Sequence, residues 1–314
     1  MPSMPSPSPA DAPHTDLRHN GWIRHLPPSW RPYALLTRLD RPVGCWLLFL
    51  PGVYGLFLPA GVSDAARWKD VVLFAIGAVL MRSAGCVVND IWDRKIDARV
   101  SRTANRPLAS GALSLRQAFF LLAVLLLGGL AVLLQLPPIC WALTPLALVL
   151  VALYPTAKRF TWWPQLIMGI TFGFGAPMGY AAAHGTLDVT GLLLYGGVIL
   201  WQLGFDTVYG FQDMEDDARI GVKSTSRLMV GHARLFVTLC YAGTLALFGL
   251  CALRAHLAGF FWIFFSAAAL WLLWQGTHLT PCNPRRCLQD FRNNVPIGML
   301  FALAFISGRL GLSL

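Results

Sequence analysis

Nine apolar stretches, near residues 43–61, 71–91, 117–135, 138–154, 163–183, 190–210, 235–254, 257–275 and 295–313, take up most of this 314-residue chain. A helix needs about 20 residues, within a range of roughly 17–25, to cross the hydrocarbon of a bilayer, and each stretch has that length. Composition removes the water-soluble alternative. Hydrophobic residues make up 56% of the chain, charged residues only 13%, and the mean hydropathy is +0.56. A soluble domain carries about 25% charged residues to cover its surface. Disordered, collagen-like and coiled-coil readings fail on the same figures. The expected fold class is all-α: a polytopic membrane protein of nine transmembrane helices, two of them joined by the tight Leu136-Pro137-Pro138 hairpin.

Charge sets the expected orientation. The net charge of +10 could serve nucleic acid, but the basic residues lie between the apolar stretches rather than along one face, so nucleic acid is not an expected partner and membrane lipid is. With the N-terminus inside, 20 of the 25 Lys and Arg fall in the N-terminal segment and in loops near 92–116, 155–162, 211–234 and 276–294. Arg67, Lys69, Arg254 and Arg309 fall near the other side, and Arg82 lies within a span. The positive-inside rule then puts the long loops in the cytosol. Residues 1–32 read as a mobile cytosolic tail without a signal-peptide core, and 33–314 as a single transmembrane domain. A mitochondrial transit peptide would be rich in Arg and poor in acid, whereas Asp11 and Asp16 precede Arg18. The expectation is therefore a bacterial inner membrane with the active site facing the cytoplasm. Cys45, Cys86, Cys140, Cys240 and Cys251 lie in or beside apolar segments and read as small core residues. His278, Cys282 and Cys287 share a loop, but their spacing matches no zinc pattern and a fourth ligand is missing.

The acidic residues are concentrated. Eight of the chain's 15, Asp90, Asp93, Asp97, Asp206, Asp213, Glu215, Asp216 and Asp217, fall at two places, after the second and sixth spans. Asn89, Asp93 and Asp97 are spaced i, i+4, i+8, so a helix would project them from one face; Tyr209, Asp213 and Asp217 repeat the spacing. Like charges one turn apart repel, so the pattern needs a reason. Oxygen-only ligands of this kind suit Mg²⁺, a hard cation that keeps waters and shares substrate phosphates. Solvated helix ends would explain one such cluster better than two with identical spacing.

Cations surround both clusters. Arg102 and Arg106 follow the first, Lys158 and Arg159 follow the fourth span after Tyr154, and Lys223 follows the second cluster. Carboxylates that bind Mg²⁺ beside Arg and Lys that bind oxygens directly are what a metal-bridged diphosphate requires. Arg82 lies two helical turns before Asn89, inside a span, where an arginine costs roughly 2.5–3.5 kcal/mol on insertion scales. An anionic substrate group is a natural partner for it.

These motifs resemble the UbiA superfamily of intramembrane aromatic prenyltransferases over Thr37 to Leu314. Asn89-x3-Asp93-x3-Asp97 is similar to the family's first Asp-rich motif, Tyr209-x3-Asp213-x3-Asp217 to its second, and Tyr154-x3-Lys158 to a smaller third. Flanking stretches such as Met81–Cys86, Arg102–Gly111 and Phe205–Tyr209 look most like the members that prenylate 4-hydroxybenzoate for ubiquinone synthesis. The resemblance implies nine helices around a central cavity capped by cytosolic Asp-rich loops. It implies Mg²⁺ held by Asn89, Asp93, Asp97, Asp213 and Asp217, with Arg102, Arg106, Lys158 and Lys223 on the polyprenyl diphosphate. Arg82 would grip the carboxylate of 4-hydroxybenzoate, and Tyr154 and Tyr209 would orient diphosphate or ring. Asp206, Asp90 or the released diphosphate could take the ring proton. No protein partner is implied. Haem, naphthoate or chlorophyll-type acceptors are the nearest alternatives. A transporter is the alternative from another class, although its site would lie at the bilayer midplane rather than at helix ends.

Overall fold

A computed structural model describes residues 21–99, 103–214, 218, 221 and 223–311. Among them there is no strand, and the regular structure is helical throughout. The helices are α1 (Arg31–Leu36), α2 (Val43–Phe57), α3 (Asp64–Asp97), α4 (Leu115–Leu133), α5 (Pro138–Phe160), α6 (Pro164–Phe172), α7 (Gly175–His184), α8 (Val189–Gly210), α9 (Thr225–Met229), α10 (Ala233–Arg254), α11 (Phe260–Thr277) and α12 (Pro284–Arg309).

Among the described residues, seven helical stretches are long and apolar enough to cross a membrane, with α6 and α7 acting as one stretch, Pro164–His184, and α9–α10 as another, Thr225–Arg254. Nine were expected. Val43–Phe57 is shorter, at 15 residues. The 26-residue α12 carries Arg285, Arg286, Asp290, Arg292, Asn293 and Asn294 in its first half, which dilute its hydropathy. Lipid is nevertheless the only solvent that suits the outer faces. On α4, Phe119, Phe120 and Leu127 are 55%, 72% and 64% exposed, and α5 presents Leu146, Leu148, Val149 and Leu153 in the same way.

The chain divides into two compact units. The first takes in residues up to Pro42 and Val79–Leu130, hence α1, the second part of α3 and most of α4. Its core is Leu36, Ala84, Val87, Leu108, Leu113, Ala118 and Leu125. Ile23, in a 3-10 turn over Trp22–His25, packs with Ala34 and Leu35 of α1. Helix α4 starts with a capping box: the Ser114 amide donates to Gln117 Oε1 at 2.9 Å and the Gln117 amide to Ser114 Oγ at 3.3 Å.

The second unit holds Val43–Ala78 and everything from Ala131 onward. Helices α2 and α7 run backbone to backbone, because a Cβ on Gly55 would strike Ala176 and Tyr180 main-chain atoms and one on Gly179 would strike the Gly52 carbonyl. This accounts for Gly175 and Gly179 in the stretch 163–183, which breaks at Gly173-Phe174 into α6 and α7. Pro51 sits inside α2 and lacks the N–H that Leu47 O would accept. Gln202 Nε2 of α8, fully buried, donates to that carbonyl at 3.4 Å instead. Aromatic side chains join α2, α8, α10 and α12 at the centre of this unit. Tyr54 stacks on Phe305 at 5.4 Å, meets Phe248 edge-on at 5.7 Å and donates its hydroxyl to Gly298 O at 2.9 Å. A polar thread accompanies them, with Trp201 Nε1 donating to Asn294 Oδ1 at 2.8 Å and Asn294 Nδ2 to Asp290 O at 2.9 Å.

Candidate active site

The first Asp-rich motif lies on a helix rather than in a loop. Helix α3 continues to Asp97, and at 1.5 Å per residue its 34 residues span about 51 Å, well beyond a hydrocarbon core of about 30 Å. Asn89, Asp93 and Asp97 therefore share a face as their spacing predicts, and Asp93 and Asp97 are buried at 8% and 7% exposure. Carboxylates one turn apart repel, and guanidinium groups offset that repulsion. Arg106 Nη1 lies 3.0 Å from Asp97 Oδ2 and 3.5 Å from Asp90 Oδ1. Arg38 Nη2 contacts both oxygens of Asp90 at 2.8 and 3.1 Å. Thr103 Oγ1 donates to the Asp97 carbonyl at 3.0 Å and anchors the loop that carries Arg106.

Arg106, assigned to diphosphate oxygens by the resemblance, thus rests on the carboxylates here. Asp90, a candidate for the ring proton, is 1% exposed and committed to Arg38. Arg38 was missed. It is one of the cations preceding the first apolar stretch, where charge reads as an orientation signal and nothing local points to Asp90. Arg82 lies on α3 two turns before Asn89 and is half-buried, as Asn89 is.

Between Tyr209 and Asp213, the described part of the second motif does not repeat the helical face of the first. Helix α8 ends at Gly210, and Phe211 to Asp213 form a turn before helical structure resumes at Met214. Tyr209 and Asp213 are therefore four residues apart but not on one continuous helix. Gly210 marks the break: a Cβ there would strike Ser226 Oγ, which donates to Thr207 O at 2.7 Å. Tyr209 packs on Phe291 with ring centroids 4.5 Å apart. Asp213 and Asp206 are half-buried. Asp217 and Arg102 fall outside the described residues.

The segment after this motif turns back onto the end of α5. The Lys223 amide donates to the Lys158 carbonyl at 3.3 Å, and Lys223 Nζ to Phe160 O at 3.4 Å. Gln165 Oε1 of α6 accepts from the Thr225 amide at 2.9 Å, and Thr225 Oγ1 donates to Trp162 O at 3.2 Å. Ser224 caps α9 by accepting from the Arg227 amide. Lys158 and Lys223, far apart in sequence, are thus neighbours. Tyr154, one turn before Lys158, packs against Phe172 at 6.0 Å. Cys287, expected to share a loop with His278 and Cys282, lies instead in the first turn of α12, buried with its thiol toward Thr280 O at 3.5 Å, and His278 stacks on Trp274.

Among the described residues no three His, Cys, Asp or Glu side chains gather as a metal cluster. The donors of α3 nonetheless have the right chemistry for Mg²⁺: two buried carboxylates one turn apart with an amide oxygen one turn before them, all hard oxygen ligands.

The main chains of Lys158 and Lys223 thus meet in the second unit, and in the first unit guanidinium groups answer the carboxylates of α3. A family model for UbiA prenyltransferases matches residues 48–305. The chain belongs to the UbiA prenyltransferase family. It is 36% identical over 289 residues to a mitochondrial 4-hydroxybenzoate polyprenyltransferase of Caenorhabditis elegans, covering 92% of this chain and 81% of the relative. It is 37% identical to the Bos taurus protein of the same name, covering 97% and 83%. Among solved structures, a UbiA homologue from Aeropyrum pernix K1 in its apo state superposes with a TM-score of 0.70 at 28% identity, covering 83% of this chain and 96% of the other. A UbiA homologue from Archaeoglobus fulgidus, solved with GPP and Mg²⁺, superposes with a TM-score of 0.61 at 19% identity, covering 88% and 99%, and shares the fold.

The mitochondrial names correct the expected location. Bacterial inner membrane rested on Asp11 and Asp16, and two acids in a short N-terminal segment are too slight a signal to decide a compartment. What stands is an integral membrane protein of the UbiA fold.

Proposed function

We propose that the chain transfers a polyprenyl group from polyprenyl diphosphate to the ring carbon ortho to the hydroxyl of 4-hydroxybenzoate. The products are 3-polyprenyl-4-hydroxybenzoate, a ubiquinone precursor, and diphosphate. The observation that carries this reading is the likeness, over nine-tenths of the chain, to relatives named for that reaction. The nine apolar stretches are read as nine crossings, α2 and the second half of α12 included.

Asn89, Asp93 and Asp97 on α3, with Asp213 and Asp217 of the second motif, would hold Mg²⁺. The bound metal supplies positive charge to the departing diphosphate. That both motifs serve one diphosphate rests on their match to the family's two Asp-rich motifs. Arg102, Arg106, Lys158 and Lys223 would bind phosphate oxygens, and their charge favours ionisation of the allylic C–O bond because negative charge builds on the leaving group. Arg82 would hold the carboxylate of 4-hydroxybenzoate through two parallel hydrogen bonds. Tyr154 and Tyr209 would bound the reacting groups. The ring carbon attacks the allylic cation, and loss of the ring proton restores aromaticity.

The deciding experiment incubates membranes bearing the chain with polyprenyl diphosphate, labelled 4-hydroxybenzoate and Mg²⁺, with and without EDTA. Label should enter a prenylated lipid only when Mg²⁺ is present. Label entering lipid from a naphthoate or haem, and not from 4-hydroxybenzoate, would replace the acceptor. Undiminished product in EDTA would remove the metal.

A further inference from the structure

Four side chains of alternating charge form a line within the first unit: Arg38, Asp90, Arg106 and Asp97. Their links are 2.8 Å, 3.5 Å and 3.0 Å. All four side chains are 14% exposed or less. Only the last two belong to the motifs that handle metal and diphosphate, and the sequence motifs say nothing of Arg38. Its backbone is left-handed, with φ 58°, an uncommon state for a residue with a side chain. Arg38 Nη1 is tied to Leu35 O at 3.0 Å, at the end of α1. The guanidinium is thus held in a set place and covers both oxygens of a nearly inaccessible carboxylate.

We propose that Arg38 is a positioning residue for prenyl transfer: by neutralising Asp90 it keeps Arg106 directed at Asp97 and at the diphosphate bound there. This inference rests on the function proposed above. The argument is one of competition. Arg106 already stands within 3.5 Å of Asp90, but its shorter contact is to Asp97. A buried carboxylate stripped of its partner draws the nearest cation, because an uncompensated charge is far more costly there than in water. Without Arg38, Asp90 recruits Arg106, and the cation leaves the place where phosphate oxygens arrive. The charge of Asp90 is thus the agent of the defect, which distinguishes this role from a simple tie between α1 and α3.

The test compares wild type, Arg38→Met and the double variant Arg38→Met with Asp90→Asn in the membrane assay. Unfolding in detergent and the rise in Tm on adding Mg²⁺ with inorganic diphosphate are measured alongside. Arg38→Met should raise the KM for polyprenyl diphosphate about tenfold, leave the KM for 4-hydroxybenzoate within threefold, and shrink the ligand-induced rise in Tm. The double variant should recover most of both, since a neutral amide in place of the carboxylate has no pull on Arg106. A double variant as impaired as the single one would overturn the proposal, as would an unchanged diphosphate KM in Arg38→Met. If Arg38→Met does not fold, Arg38→Gln serves, because a neutral amide fills much of the space and leaves Asp90 without a counter-charge. A rise in diphosphate KM that Asp90→Asn relieves is then expected, and no rise refutes the proposal. A wild type inactive with 4-hydroxybenzoate but still stabilised by Mg²⁺ and diphosphate would instead strike the proposed acceptor, leaving the Tm comparison to decide the role of Arg38.

Discussion

The backbone amide of Lys223 donates to the carbonyl of Lys158 at 3.3 Å, so the chain bearing the last residue of the third short motif and the chain following the second Asp-rich motif are tied together. If both lysines bind the same phosphate oxygens, their effects are coupled. Lys158→Ala and Lys223→Ala should each raise the KM for polyprenyl diphosphate about tenfold. The double variant should fall short of the product of the two by more than the few tenths of a kcal/mol that independent sites show. Steady-state kinetics in membranes read this out, and strict multiplicativity would place the two cations on different groups.

The carboxylates carry a sharper expectation. Asp93→Asn and Asp213→Asn remove a hard anionic ligand while keeping volume, so turnover should fall about 10³-fold, the several kcal/mol assigned to metal stabilisation of charge. The variants should still fold and enter the membrane, as checked by Tm and size-exclusion in detergent. Near-normal turnover in either would remove that residue from the metal site.

Arg82→Ala should act on the acceptor alone. Losing a charge-assisted pair of hydrogen bonds worth about 2 kcal/mol raises the KM for 4-hydroxybenzoate about 30-fold, with the diphosphate KM little changed. Competition by benzoates with and without the carboxylate checks it: the variant should no longer prefer the acid.

Arg67 has a structural task. It is 2% exposed, donates to Leu56 O at 2.7 Å and Pro59 O at 2.8 Å, and lies over the Phe57 ring. Arg309 joins it, donating to Phe57 O at 3.2 Å and to Leu58 O. The end of α2 is thus capped by two guanidinium groups. Arg67→Met would strand carbonyls that are buried and unpaired, a loss of about 2–4 kcal/mol. A fall of several degrees in detergent Tm with unchanged KM values is expected; an unchanged Tm would deny the capping role.

Asp188 gives a dependence on pH. It caps α8 by accepting from the Thr190 and Gly191 amides at 2.8 and 3.1 Å. Desolvation pushes its pKa up, but the Gly191 amide, the Tyr180 hydroxyl and the Thr190 amide outweigh it and hold the carboxyl below the ordinary 3.8. A depressed carboxyl pKa contributes stability that is present above the unfolded value and is lost as pH falls through the folded one. Asp188→Ala should therefore cost about 1 kcal/mol near neutral pH. The gap in Tm between variant and wild type should close as pH falls below 3.8. A gap independent of pH would assign the effect to packing.

Much of the first motif was legible because helical spacing is a local property: Asn89, Asp93 and Asp97 could be placed on one face from their intervals alone. The same interval misled at Tyr209 and Asp213. Helix α8 ends at Gly210, where Ser226, sixteen residues further on, occupies the space of a Cβ. The four cations that broke the positive-inside pattern could be counted but not explained. Arg67 and Arg309 are taken up by the end of α2, and Arg254 Nε donates to Thr190 Oγ1.

The sequence by itself determined that this is a helical membrane protein, that its acids gather at two helix ends beside basic residues, and that it carries the UbiA motifs. The first two follow from hydropathy, charge and spacing within a window of about one helix, and the third from the resemblance of its motifs to those of the family. Tertiary structure alone decided the partners: Arg38 on Asp90 across 52 residues, Gln202 on the carbonyl freed by Pro51, and Lys223 against Lys158. Burial makes an unpaired charge or carbonyl costly, but the group that answers it comes from whichever helix packs alongside, and that neighbour is not written in the local pattern.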